Sequence, residues 1–164
     1  MGAAPRAAAK ASSASSPKHA RILALDYGRR RIGVAISDEL GLTARPLPVL
    51  YRKNRREDIA RLREIVRANG IARIIVGLPL HLNGRRGEMA EEVSRFAGRL
   101  AKELGLAVDQ LDERLTSWEA EQLAQESQRA AKADLDSISA AILLREYLGS
   151  QSVHAKSAGT AQTP

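Results

Sequence analysis

Residues 21–37 read RILALDYGRRRIGVAIS, and the fold is decided in this stretch. Ile22-Leu23-Ala24-Leu25 is a short apolar run, ended by the turn signal Asp26-Tyr27-Gly28. From Arg31 to Ser37 the pattern alternates, with Ile32, Val34 and Ile36 on one face. Two strands separated by so short a turn predict an antiparallel hairpin. The two-residue period places Ile22, Ala24 and Asp26 on a common face. Asp26 therefore ends an apolar strand and is expected to be partly buried. A buried carboxylate costs several kcal/mol unless it is satisfied. The N–H groups of the following turn can do that, and so can a metal ion.

Outward from the hairpin, Leu47 to Tyr51 reads as a third strand. Pro46 and Pro48 confine it to an edge or to the strand's entry. Ile59, Leu62, Ile65 and Val66, spaced by three and four, predict a helix closed by Asn69-Gly70. Ile74-Ile75-Val76 is a buried-type strand ending at Gly77-Leu78-Pro79. After a loop from Leu80 to Gly87, a second helix carries Met89, Val93, Phe96, Ala97, Leu100 and Leu104 and ends at Gly105. Leu106 to Leu111 is a fifth strand ending at Asp112-Glu113. Thr116 or Ser117 caps a third helix to about Glu126, and a polar, basic stretch follows over 127–133. Asp136 opens a final helix, or lies in its first turn, and that helix runs through Leu148. Three strands followed by strand–helix alternation predict an α/β mixed sheet with helices on both faces. Residues 1–20 and 150–164 are Ala/Ser-rich with little to bury and read as disordered tails around a domain at 21–149.

Hydrophobic residues make up 44% of the chain and aromatics 3%, so the core must be aliphatic. Cysteine is absent, which excludes thiolate metal sites and fits a reducing cytoplasm. No apolar run approaches the ~18 residues of a membrane span. The formal net charge of +7 suggests a polyanionic partner. Arg6, Lys10, Lys18 and Lys156 lie in the tails. The other 22 of the 26 bases face all 19 acids, so the domain itself is only about +3.

Read singly, the candidate acids have plain roles. Asp26 fits a turn aspartate, Glu113 an ion pair and Asp136 a helix cap, with Asp134 competing for that cap. Together they mean more. Parallel strands end on one side of a sheet, and α/β sheets bind ligands there. Oxygen-only ligands suit Mg²⁺ or Mn²⁺, and two such ions can drive phosphodiester hydrolysis.

Leu25-Asp26-Tyr27-Gly28 with Arg31 to Asp38 resembles the opening motif of the YqgF family. These are relatives of the RuvC Holliday-junction resolvases to which processing of pre-16S rRNA is ascribed. The likeness continues through Gly77-Leu78-Pro79-Leu80, Gly84 and Gly87. It runs on in Asp112 to Ser117 and in Asp136 with Ala140, Leu144, Tyr147 and Leu148. The resemblance implies an RNase H-like five-stranded sheet, an antiparallel meander plus two parallel strands. It also implies that Asp26, Glu113 and Asp136 are catalytic, metal-binding carboxylates for Mg²⁺ or Mn²⁺. The family's last motif usually reads Asp-x-x-Ala-Ala. Ser139 departs from it, a small change expected to leave the chemistry alone. In such a sheet the fourth strand separates the first from the fifth, so the Asp26 and Glu113 backbones are roughly 10 Å apart. Their side chains must converge over Gly77, which has no side chain to obstruct them.

Arg29, Arg30, Arg31, Arg85, Arg86 and Arg114 are expected at the same edge, contacting phosphates of structured RNA or branched DNA. Arg52, Lys53, Arg55 and Arg56 are expected at the opposite end. Scarce aromatics favour recognition by shape and backbone. Trp118 reads as a packing residue, and His81 lies near enough to the site to be weighed as a proton shuttle. The leading expectation is a nuclease acting on pre-rRNA, as a monomer or weak homodimer. A junction-cleaving enzyme, a non-catalytic RNA-binding assembly factor and an actin-like ATPase are the alternatives. The chain is too short for the duplicated lobes of the last.

Overall fold

The structure is a computed structural model that describes residues 20–114, 125 and 132–158. Strands β1 (Arg21–Tyr27), β2 (Arg31–Ser37) and β3 (Ala44–Tyr51) precede helix α1 (Arg55–Asn69). Strand β4 (Ile71–Leu78), helix α2 (Glu88–Leu104), strand β5 (Ala107–Asp112) and helix α3 (Lys132–Ala158) follow. The expected helix from Thr116 or Ser117, and Trp118 with it, lie outside the described residues.

The five strands form one sheet in the order β3-β2-β1-β4-β5. The pairs β1–β2 and β2–β3 are antiparallel, and β1–β4 and β4–β5 are parallel. This is the expected meander with two parallel additions, and the proline-bearing β3 is at an edge. Asn54 caps α1 by accepting from the Glu57 N–H. Gly70 ends α1 at φ 63° and Gly105 ends α2 at φ 65°, left-handed positions where a β-carbon would be strained.

Two cores of different character flank the sheet. On one face Leu23, Leu25, Ile32, Val34, Ile74 and Val76 pack against Ile59 and Leu62 of α1 and Val93, Phe96 and Leu100 of α2. Burying each such side chain contributes about 1.5–3 kcal/mol. The other face is built from small residues. Ala24, Ala35 and Ile75 of the sheet meet Ala140, Ala141 and Leu144 of α3. That alanine seam lets α3 lie close to the strands.

Helix α3 differs from expectation at both ends. It starts at Lys132, so Asp136 lies inside the helix and Asp134 occupies the first turn. It also continues past Leu148 to Ala158, so residues 150–158 are helical rather than tail. No proline interrupts that segment, and alanine recurs in it, the residue most favourable to a helix. Among the described residues, no helix is long and apolar enough to cross a membrane.

Candidate active site

Asp26 stands at the centre of the site, flanked on both sides by glycine. Across the hairpin its register partner is Gly33. On the parallel side Leu25 pairs with Val76, which brings Gly77 to the next step beside Asp26. Each glycine lies beneath one of the other two acids. A β-carbon at Gly77 would be 2.0 Å from Glu113 Oε1 and 2.6 Å from its Cδ. The Glu113 side chain thus crosses the middle strand toward Asp26, in the space expected of Gly77. The Glu113 N–H donates to Leu78 O at 3.1 Å and fixes where that crossing starts. A β-carbon at Gly33 would be 1.8 Å from the Asp136 carbonyl oxygen. Ser137, itself buried, accepts from the Val34 N–H at 3.2 Å and anchors α3 there.

The electrostatics follow from this crowding. Burial raises the Asp26 pKa, and the nearby Asp136 charge adds to the rise. Hydrogen bonding to Glu113 and Ser139 opposes it. Glu113 is pushed from 4.5 up to about 8, first by burial and then by the Asp26 charge. Two hydrogen-bonded carboxyl groups need a proton between them, so at neutral pH the pair holds one. Asp136 does not join that pair. Its Oδ2 lies 2.7 Å from Arg31 Nε, yet this buried oxygen has no aligned hydrogen bond. Among the described residues, no three His, Asp or Glu side chains stand close enough to hold a metal ion as they are. Asp26 and Glu113 are brought together, and Asp136 sits to one side, drawn toward Arg31.

Ser139 is the residue whose role the sequence understated. Its hydroxyl faces Asp26 and favours the charged carboxylate, so the departure from alanine does reach the site. The signal was its spacing: one helical turn separates 136 from 139, which places both on the face turned to the sheet.

The six arginines fall into two groups. Arg29 pairs with Glu88 and Glu92, Arg31 with Asp136, Arg86 with Glu91 and Arg114 with Asp112. Among the described residues Arg30 and Arg85 have no ion pair, and both are exposed. A cleft of about 300 Å³ lined by Asp26, Gly28, Arg29, Arg30, Arg31 and Asp136 opens beside the acids.

The cluster from Arg52 to Arg56 is at this end of the sheet, not the opposite one. β3 runs antiparallel to β2, and Tyr51 pairs with Arg31, so the close of β3 returns to the β1–β2 turn. Arg52 Nη1 donates to the carbonyls of Gly28 at 3.1 Å and Arg29 at 3.3 Å, holding that turn. His81 is exposed on the loop after β4, where its N–H donates to Arg85 O at 3.0 Å. Its ring lies against Gly87, and it makes no hydrogen bond to the three carboxylates.

Comparison with known proteins adds to this geometry. A family profile described as "RuvX: Holliday junction resolvase" matches residues 20–150. A Koribacter versatilis protein is 46% identical over 136 residues, covering 81% of this chain and 89% of that relative. A Thermosynechococcus vestitus protein is 40% identical over 146 residues, covering 87% and 97%. Both bear the name "Putative pre-16S rRNA nuclease". Among solved structures, Thermus thermophilus RuvC in complex with a Holliday junction substrate superposes with TM-score 0.52 at 17% identity, over 82% of this chain and 96% of that one. The fowlpox virus resolvase in complex with Holliday junction DNA gives TM-score 0.50 at 12% identity, over 80% and 98%. At such identities these two establish the RNase H-like fold alone.

Proposed function

The chain belongs to the RuvX family, described as Holliday junction resolvases, and on that premise we propose that it is a metal-dependent endonuclease that cleaves pre-16S rRNA. One observation carries the reading. Asp26, Glu113 and Asp136 arrive from three separate elements at one sheet edge, and two glycines exist there to admit them. A fold without use for the acids gains nothing from holding Asp26 and Glu113 against each other at raised pKa.

The donor set fits a hard divalent cation. All donors are carboxylate oxygens, the character that suits Mg²⁺ or Mn²⁺. Asp136 Oδ2 is buried and, although 2.7 Å from Arg31 Nε, has no aligned hydrogen bond, a demand that a cation ligated by this oxygen would meet. Asp26, Glu113 and Asp136 would hold the ion, with Glu113 surrendering its proton and Asp136 turning from Arg31. A divalent ion there supplies Lewis-acid stabilisation of charge developing on the phosphate. The protein does the remainder. Arg30 and Arg85, free of ion pairs among the described residues, contact backbone phosphates, and Arg29, Arg31, Arg86 and Arg114 can exchange their carboxylate partners for phosphate. Gly28 and the Arg52 clamp fix the turn that presents Arg29 to Arg31. Recognition rests on shape and backbone, since aromatic stacking platforms are scarce. The protein acts in the cytoplasm as a monomer or weak homodimer.

The names of the curated relatives favour pre-16S rRNA as substrate, and the family description favours four-way DNA as the second reading. Cleavage of a pre-rRNA fragment and of a DNA junction, with Mg²⁺, with Mn²⁺ and with chelator, tests both. Chelator-sensitive cutting of the RNA is expected, lost by at least about 100-fold in Asp26→Asn and Glu113→Gln. Equal cutting by parent and both variants would remove the site assignment, and no cutting by the parent would favour a non-catalytic assembly factor.

A further inference from the structure

The β1–β2 turn has a second charged hollow behind it. A cavity of about 210 Å³ is lined by Tyr27, Arg52, Arg55, Glu92, Arg95 and Arg99, on the α1–α2 side of the sheet. Three of these are already committed. Arg52 pairs with the buried Asp58 at 3.2 Å, and Glu92 accepts from Tyr27 Oη at 2.8 Å. Glu92 also faces Arg29 at 3.5 Å and Arg52 at 3.9 Å. Arg55, Arg95 and Arg99 are exposed and, among the described residues, have no ion pair.

Their placement is unfavourable for the protein alone. Arg95 and Arg99 are one helical turn apart on α2, where like charges repel. Arg55 is the first residue of α1, where the helix dipole disfavours a cation. Three arginines from two helices thus converge on one hollow with no free acid to neutralise them. A tetrahedral anion accepting several guanidinium donors matches that arrangement.

We propose that this cavity binds a phosphate of the nucleic-acid backbone. Its relation to the catalytic edge identifies the source. Asp26 and Tyr27 are consecutive in β1 and point to opposite faces, Asp26 into the catalytic cleft and Tyr27 into this cavity. A polynucleotide crossing the β1–β2 turn therefore meets the carboxylates on one side and the arginines on the other. The inference rests on the reading of the chain as a nuclease of structured nucleic acid.

Binding of a pre-rRNA fragment and of a DNA four-way junction, in chelator and over a salt series, tests it with the parent, R95A/R99A and R95K/R99K. R95A/R99A should lower the slope of log affinity against log salt by roughly one, and the lysine pair should keep it. Thermal melts with inorganic phosphate, against chloride at matched ionic strength, form the second arm. Phosphate should raise the Tm of the parent and not of R95A/R99A. An unchanged slope in R95A/R99A, with the parent binding RNA or junction normally, overturns the cavity assignment and leaves the nuclease reading intact. If the parent binds neither nucleic acid, both readings fall. Phosphate protection confined to the parent in that case would assign the cavity to free phosphate instead.

Discussion

The α-carbon of Gly33 and the main-chain carbonyl of Asp136 are in direct contact, with no room for a β-carbon between strand and helix. The obstacle is backbone on both sides, so nothing can swing aside. Gly33→Ala must push α3 off β2 or bend β2. Overpacking of this kind costs about 1–3 kcal/mol. The same displacement draws Asp136 away from Asp26, and a shift near 1 Å costs activity about 100-fold. Urea unfolding and a cleavage assay should move together. Parent-like activity in Gly33→Ala would show that the approach of α3 does not set the site.

Gly77 presents the opposite case. What a β-carbon meets there is the Glu113 side chain, which can rotate away. Gly77→Val should therefore fold normally, within about 1 kcal/mol of the parent, since a β-branched residue suits a strand. Glu113 would be expelled from Asp26, and binding of Mg²⁺ or Mn²⁺ should be abolished. Calorimetric titration with either ion reads this out, and normal affinity in Gly77→Val would sink the account of how the two acids meet.

Much of this fold and site is legible in the sequence, for identifiable reasons. Strand faces follow from a period of two, so Asp26 could be set beside Ala24 without a structure. The need for Gly77 followed from strand spacing once the resemblance had supplied strand order. What failed depended on closure in three dimensions. Position along the chain alone puts the Arg52 cluster at the wrong end, because it hides the antiparallel return of β3. Asp136 reads as opening the helix or lying in its first turn because the sequence over 127–133 is polar, and helix starts are set by local capping that competing acids blur. The pairing of Arg31 with Asp136 could not be read at all, since neither periodicity nor spacing determines which base meets which acid.

Arg52 links the core to the catalytic turn. It pairs with Asp58, which is 1% exposed, holds the carbonyls of Gly28 and Arg29, and lies 4.5 Å from the Tyr27 ring centroid. Arg52→Ala would strip a buried carboxylate of its cation, a loss of about 3 kcal/mol by analogy with broken buried pairs. The turn would also lose the two hydrogen bonds that Arg52 Nη1 donates to it. A guanidinium ion added at millimolar concentration should restore part of the activity if the turn is what matters. Arg52→Ala with unchanged stability would mean that Asp58 is satisfied by the Lys53 N–H and the α1 start alone.

The raised Glu113 pKa gives the metal-free protein an unusual response to pH. Folding holds the Glu113 proton up to about 8, whereas the unfolded chain releases it near 4.5. The folded state therefore binds more protons across that window, and stability must fall as pH rises through it. Below 4.5 both states are protonated and the effect vanishes. Asp38 and Asp112 shift the other way, held down by hydrogen bonds from Thr43 and Arg114 respectively, so the stability they contribute is fully present above the ordinary 3.8 and varies with pH only below it, outside this window. In chelator, the Tm of the parent should decline relative to that of Glu113→Gln between about pH 4.5 and 8. A divalent ion binds the deprotonated acids, so added Mg²⁺ or Mn²⁺ should reverse the decline, and more strongly at higher pH. A difference between parent and Glu113→Gln that stays flat across the window would show that the two carboxyl groups do not share a proton.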